Sequence, residues 1–166
     1  MVQSWITKTA NDLPIKDSQK ISSALGGAAF GRSDSQYKFS TLINNLTSSD
    51  AVKYVVIAGG YNDRNSIANI ATGISDCKSL VQSKFPNATM CVAFIAGTTD
   101  ESQQSALASV KSAYQSACSS LGCVFLNNTD VLSSASYFAS DGIHPNESGE
   151  TRIANAIVNA MNDQLL

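Results

Sequence analysis

Tyr54-Val-Val-Ile-Ala-Gly-Gly-Tyr-Asn-Asp63 begins with five apolar residues in a row and continues into two glycines, a tyrosine, an asparagine and an aspartate. Successive residues of a strand point to opposite faces of its sheet, so a continuously apolar strand is one that is buried on both faces. Such burial is typical of a parallel sheet that helices cover on both sides. The stretch therefore predicts a central strand that ends at Gly59-Gly60.

The rest of the chain alternates between helical and extended patterns. Met90–Ala96 and Cys123–Leu126 are two more apolar runs of strand length. Apolar residues at helical spacing predict helices in five stretches, which are Trp5–Leu13 (ended by Pro14), Phe39–Leu46, Ile67–Phe85, Leu107–Leu121 and Ile153–Leu165. Lys20–Phe30 is predicted to be a strand that runs into a Gly-rich loop, Leu25-Gly-Gly-Ala-Ala-Phe30. This order predicts a single domain over residues 1–166 with a doubly wound, three-layer α/β fold, whose site lies at the carboxyl ends of the strands.

Composition excludes several classes of function. The 166 residues carry a formal charge of −2 with 14% charged residues and no basic run, which argues against nucleic-acid binding. No apolar run approaches the roughly 20 residues of a membrane span, and the first residues have no export-signal pattern. Four cysteines without C-x-x-C spacing and a single histidine provide no familiar zinc set. A serine- and asparagine-rich surface favours an extracellular or cell-surface protein of bacterial or phage origin.

Asp141-Gly-Ile-His144-Pro contains the only histidine of the chain, with an aspartate three positions before it. An imidazole exchanges protons near neutral pH, and a carboxylate beside it fixes its tautomer and stabilises its charged form. Gly142 lets the backbone bend between the two residues. The pattern fits a catalytic base and its orienting acid, and it also fits an ordinary surface turn.

Asn62 follows the predicted central strand, at the edge of the sheet where this architecture binds ligands. Its side-chain amide is suited to donate a hydrogen bond to a developing oxyanion. The alternative interpretation is that Asn62 or Asp63 caps a helix that begins near Ser66.

A strand that ends in G-x-N-D and a D-x-x-H-P loop before the last helix together resemble the SGNH (GDSL-type) hydrolases, over nearly the whole chain. The resemblance implies that His144 is the base, Asp141 its acid and Asn62 an oxyanion donor. It also implies that Gly27, or less favourably Gly26, donates a backbone N–H to the oxyanion. Members hydrolyse acyl or O-acetyl esters of lipids or carbohydrates with no metal or organic cofactor, and the polar surface here favours a carbohydrate or other small ester substrate.

The chain departs from this family at the nucleophile. The family's serine lies in a Gly-Asp-Ser block at the end of the first, central strand, and neither that strand nor that block is visible before Trp5. The alternatives are a chain that continues upstream, a rearranged sheet, or a partner chain that supplies the strand. Ser35, in Ser33-Asp-Ser35, is the one candidate for a displaced nucleophile. The competing functional hypothesis is a non-catalytic binding module, or an inactive remnant, of the same fold that has lost the nucleophile. A flavodoxin-like nucleotide binder ranks below it.

Overall fold

A computed structural model of the chain describes residues 5–12 and 22–166. Eight helices and strands, labelled in chain order, are α1 Trp5–Asp12, α2 Phe39–Asn44, β1 Tyr54–Gly59, α3 Ile70–Lys84, β2 Thr89–Phe94, α4 Glu101–Leu121, β3 Val124–Leu126 and α5 Glu147–Leu165. Short 3-10 turns occur between them. The predicted helices and the three predicted apolar strands are confirmed; Leu13 and Pro14, which were predicted to end the first helix, lie outside the described residues.

The three strands form one parallel sheet in the order β1-β2-β3. Side chains of α3 and α4 pack on one face of the sheet in a core that includes Ile74, Val92 and Tyr114. Side chains of α5 pack on the other face against residues such as Ala93 and Leu126, and α1 packs on α5. The sheet therefore has helices on both faces, which confirms the predicted three-layer α/β architecture.

The predicted strand at Lys20–Phe30 is wrong in the part that the structure describes. Residues 22–28 are irregular, a turn lies at Gly26–Gly27, and the only extended contact is an isolated bridge between Ala29 and Lys38. A strand needs a neighbour to accept and donate its backbone hydrogen bonds, and no described strand lies beside this segment. The segment instead turns at its glycines, and its Ala28 N–H donates to Leu25 O at 3.2 Å.

The expected burial of β1 on both faces is also wrong in its extent. Residues of β2 are buried from Met90 to Phe94, whereas only Ile57 of β1 is fully buried. The difference arises because β2 lies between two strands, while β1 is the edge strand and pairs with β2 alone among the described strands.

The cysteines behave as mostly buried thiols. Cys77, Cys91 and Cys118 are buried, Cys123 is partly exposed, and all four are free. Contact with Cys118 and the nearby charge of Lys78 lower the pKa of the Cys123 thiol to about 7, although its partial burial opposes this.

Within residues 5–12 and 22–166 no helix is long and apolar enough to cross a membrane.

Candidate active site

His144 and Asp141 form a hydrogen-bonded pair in the loop that precedes α5. His144 Nδ1 lies 2.7 Å from Asp141 Oδ2, while Asp141 Oδ1 accepts hydrogen bonds from the backbone N–H groups of Ile143 and His144, both at 2.9 Å. These bonds lower the pKa of Asp141 to about 2. Asp141 is therefore a carboxylate at neutral pH, and the Nδ1 contact leaves Nε2 of His144 as the ring nitrogen that can exchange a proton with a ligand.

The backbone around this pair is held from several sides. Gly142 adopts a left-handed conformation with φ +70°, and a Cβ there would lie 2.1 Å from Thr99 Oγ1. Its carbonyl accepts a hydrogen bond from Thr99 N–H at 3.0 Å, which ties the loop to the segment after β2. Asn146 Oδ1 accepts from Ser148 and Gly149 N–H and so caps α5. The predicted bend at Gly142 is present.

Asn62 lies one turn beyond β1, in the 3-10 segment Tyr61–Asn65. Its side-chain Nδ2 donates to Ala28 O at 3.3 Å, which ties β1 to the Gly-rich loop. Neither Asn62 nor Asp63 caps the following helix, because the residue at the cap of α3 is Asn69 and its side chain makes no cap bond. A primary amide has two N–H donors, so the bond to Ala28 leaves one for a ligand.

The Asp63 carboxylate anchors the end of the Gly-rich loop by hydrogen bonds, a role that the sequence did not reveal. Its side chain is fully buried and accepts hydrogen bonds from Gly31 N–H at 2.7 Å, Phe30 N–H at 3.2 Å and Tyr114 Oη at 2.5 Å. Burial raises the pKa of Asp63, and the bonds from Tyr114, Gly31 and Phe30 partly offset that shift. Together, Asn62 and Asp63 fix the loop to the carboxyl end of β1.

Removing the Asp63 carboxylate is expected to destabilise the fold, since three buried donors would lose their acceptor. Each unsatisfied buried donor costs about 1 to 3 kcal/mol, so Asp63→Ala should lower the free energy of unfolding by about 3 to 5 kcal/mol in urea denaturation. Tyr114→Phe is the matched control because it removes one of the three bonds and should cost about 1 to 2 kcal/mol. A smaller loss in Asp63→Ala than in Tyr114→Phe would show that the carboxylate does not anchor the loop.

Gly26 and Gly27 form the turn of the Gly-rich loop. Gly27 has φ +84°, which favours glycine, and none of the described residues accepts a hydrogen bond from its backbone N–H. Both glycines line the same groove as Asn62 and His144. The structure thus brings four of the six residues singled out for catalysis or oxyanion binding to one groove; Asp141 is bonded to His144 Nδ1, and Ser35 does not line the groove.

The groove has a volume of about 840 Å³ and runs along β1. Its polar end is formed by Asn62, His144 and the two glycines, and the remainder of its wall is mainly apolar. In the part of the chain that the structure describes, no three His, Cys, Asp or Glu side chains lie close enough together to hold a metal ion.

Comparison with solved structures identifies the fold. Est24, a carbohydrate acetylesterase from Sinorhizobium meliloti, is 17% identical with a TM-score of 0.70 over 96% of this chain and 85% of that one. An extracellular lipase from Streptomyces rimosus is 14% identical with a TM-score of 0.61 over 96% and 86%. A carbohydrate esterase family 2 enzyme from Myceliophthora fergusii is 18% identical with a TM-score of 0.54 over 96% and 56%. No protein-family model and no curated protein sequence matches the chain.

The chain has an SGNH hydrolase-like α/β fold.

Ser35 lies away from the groove of this SGNH fold. It is exposed, it begins the 3-10 turn Ser35–Tyr37, and its carbonyl accepts a hydrogen bond from Thr41 Oγ1 at 2.6 Å. Asp34 does not cap that turn with its side chain, which instead pairs with Arg32 at 3.0 Å. Among the described serines, those that line the groove are Ser22 and Ser23, in the irregular segment before Gly26. The structure therefore does not place Ser35 with His144.

Proposed function

We propose that this chain is a serine ester hydrolase domain of the SGNH type, in which His144 is the general base, Asp141 orients it and Asn62 binds the oxyanion. One observation carries the proposal. A single groove at the carboxyl end of a parallel sheet brings together the His144–Asp141 pair, the Asn62 amide and the Gly26–Gly27 turn. Neighbours in fold that are described as an acetylesterase and a lipase support the same reaction class.

The proposed reaction gives each of these groups one role. His144 Nε2 removes the proton from a serine hydroxyl as that oxygen attacks the ester carbonyl carbon, and Asp141 stabilises the resulting imidazolium through Nδ1–H. The free N–H of the Asn62 amide and the N–H of Gly27 donate to the oxyanion of the tetrahedral intermediate. His144 then returns the proton to the departing alcohol, and water, activated by the same histidine, hydrolyses the acyl-enzyme.

The proposed substrates are acyl or O-acetyl esters of carbohydrates or other small alcohols. Two of the structural neighbours are described as carbohydrate esterases, and the surface here is polar with few charges.

A second candidate function is a non-catalytic binding module that has the groove but no nucleophile. The position of Ser35 outside the groove favours it, because His144 activates only a hydroxyl that is held beside it. Labelling of the purified chain with a fluorophosphonate tests whether any of its own serines is a nucleophile. We expect little or no labelling and little or no hydrolysis of p-nitrophenyl acetate.

The serines themselves provide the controls for that labelling experiment. Stoichiometric labelling that is lost in Ser35→Ala and retained in Ser33→Ala would make Ser35 the nucleophile and would contradict the expectation. Labelling that is lost in Ser22→Ala or Ser23→Ala would assign the nucleophile to the groove wall instead. Mass spectrometry of the labelled peptide identifies the serine directly in either case.

A further inference from the structure

The turn between α4 and β3 brings two cysteines together. Gly122 ends α4 in a left-handed conformation with φ +68°, and the backbone N–H of Cys123 donates to Cys118 O at 3.0 Å. A hydrogen bond of this kind folds the chain back on the last turn of helices that end at a glycine. The thiols of Cys118 and Cys123 are consequently in hydrogen-bond contact.

The two thiols have different surroundings. Cys118 is buried in the core, whereas Cys123 is partly exposed to solvent. Contact with Cys123 and burial raise the pKa of Cys118, so its sulfur is protonated at neutral pH. Contact with Cys118 and the charge of Lys78 lower the pKa of Cys123 to about 7, so a substantial fraction of it is thiolate at neutral pH. The pair therefore joins a reactive, accessible thiolate to a buried thiol.

An ammonium group lies beside this turn. Lys78, on α3, donates from Nζ to Leu121 O, the carbonyl of the last residue of α4. A Cβ at Gly122 would lie 3.6 Å from the same Nζ, so the charge is adjacent to the residue that precedes Cys123. A cation near a partly exposed thiol stabilises the thiolate, which is the form that attacks disulfides.

We propose that Cys123 and Cys118 form a thiol–disulfide exchange site for low-molecular-weight disulfides, with Cys123 as the attacking sulfur and Cys118 as the resolving sulfur. The Cys123 thiolate attacks one sulfur of a disulfide R–S–S–R, forms a mixed disulfide and releases R–S⁻. Cys118 then attacks the Cys123 sulfur, which forms the Cys118–Cys123 disulfide and releases the second R–S⁻. The proton of Cys118 passes through water to one of the released thiolates. The cysteine pair is oxidised by two electrons, and the external disulfide is reduced to two thiols.

The other two cysteines are matched controls within the same chain. Cys77 and Cys91 are both buried, and burial raises the pKa of each thiol, that of Cys91 to about 12. A buried, protonated thiol is neither accessible nor nucleophilic. We therefore expect Cys77 and Cys91 to remain reduced while the folded chain exchanges with a disulfide.

The first measurement is the reaction of the fully reduced, folded chain at neutral pH with dithiobis(nitrobenzoate), an aromatic disulfide. We expect rapid release of about two equivalents of thionitrobenzoate per chain, and peptide mass spectrometry should recover Cys118 linked to Cys123 without an adduct. Cys77 and Cys91 should react at least about 100-fold more slowly. The absence of a rapid phase, a stable adduct on Cys123, or a disulfide that contains Cys77 or Cys91 would overturn the proposal.

Two alanine variants separate the roles of the two sulfurs. Cys118→Ala should release about one equivalent rapidly and retain the mixed disulfide on Cys123, because no thiol is left to resolve it. Cys123→Ala should lose the rapid phase. Alanine resembles a buried cysteine in being small and apolar, which favours retention of the fold. Rapid release of two equivalents by either variant would contradict the assignment, and the linkage mapped in the unmodified chain decides the proposal even where a variant does not fold.

Lys78→Met tests the activation of Cys123, because methionine keeps an apolar stem and removes the charge. The rapid phase should slow by at least about 3-fold at neutral pH as the thiolate fraction falls. Lys84→Met is the matched control, since Lys84 also donates from α3 to a backbone carbonyl, Asn44 O at 3.0 Å, while Lys78 is the lysine whose charge acts on Cys123. Equal rates in the two variants would contradict this role of Lys78.

Reversibility distinguishes an exchange site from a structural disulfide. Excess reduced glutathione should reopen the Cys118–Cys123 disulfide, because the lowered pKa of Cys123 makes its sulfur a good leaving group. A linkage that resists glutathione would be structural and would overturn the assignment. The described lining of the groove includes none of the four cysteines, so these results are independent of the ester-hydrolase proposal.

Discussion

Replacing His144 with alanine, in a form of the chain that carries a reactive serine, is expected to lower kcat for p-nitrophenyl acetate by about 10⁶-fold. Loss of the general base from a serine–histidine pair has about that effect, because the hydroxyl then has no proton acceptor. The side chain of His144 is 79% exposed, so its removal should leave the free energy of unfolding nearly unchanged. Steady-state assays with p-nitrophenyl acetate measure kcat, and urea denaturation of the same preparation measures the free energy of unfolding.

Two aspartate variants provide the control for the His144 measurement. Asp141→Asn should lower kcat by about 10⁴-fold, because an amide at this position no longer favours the tautomer that leaves Nε2 unprotonated. Asp130 is a similarly exposed carboxylate that pairs with Lys111 at 2.6 Å outside the groove, and Asp130→Asn should leave kcat unchanged. Equal losses in the two aspartate variants would show that Asp141 acts only through general stability.

Asn62→Ala is expected to lower kcat by about 100- to 1,000-fold, as loss of one oxyanion donor does. Asn62 also donates to Ala28 O, so the variant will lose one loop contact as well. Asn69 supplies the matched control, because its Nδ2 donates to Gly31 O in the same loop at 3.4 Å and its side chain does not line the groove. Asn69→Ala should therefore show a similar small loss of stability with kcat retained.

The outcome that contradicts this role for Asn62 is equally specific. If Asn62→Ala and Asn69→Ala lower thermal stability and kcat by the same factors, the Asn62 amide holds the loop and does not bind the oxyanion. A large fall in kcat with KM unchanged, confined to Asn62→Ala, indicates an interaction made only in the transition state.

Sequence patterns predicted the layers of the fold well because long-range packing agrees with local pattern in most of the chain. The apolar run of β2 becomes a strand that is buried on both faces, and the helical stripe of α4 faces the sheet and ends at Gly122 in a left-handed conformation. Residues 22–30 do not form the predicted strand, because a strand depends on a neighbouring strand. The local sequence pattern carries no information about that neighbour. The same dependence explains why β1, although apolar throughout, is only partly buried.

In the candidate site, too, contacts between residues close in the sequence were predictable and long-range contacts were not. The pairing of Asp141 with His144 was predictable because the two residues are only three positions apart in the sequence. The glycine that lets the backbone bend between them, Gly142, lies in the same short stretch. The anchoring role of Asp63 was not, since its partners Phe30, Gly31 and Tyr114 lie more than 30 residues away in the sequence. Its only signal was an acidic residue four positions after the end of β1, which is also typical of a helix cap.

Fluorophosphonate labelling of a chain that is extended before Met1 by an apolar strand ending in Gly-Asp-Ser tests the ester-hydrolase proposal most directly. Thr89 N–H donates to Lys53 O and Ile95 N–H donates to Gly59 O, so the backbone groups of Val56 and Ala58 point away from β2. Amide exchange at Val56 and Ala58 therefore shows independently whether the added strand is paired with β1. With the strand paired, we expect stoichiometric labelling at the added serine and loss of that labelling in His144→Ala. A paired strand whose serine is not labelled, or is labelled equally in His144→Ala, would contradict the assignment of His144, Asp141 and Asn62 to an ester-hydrolysing site.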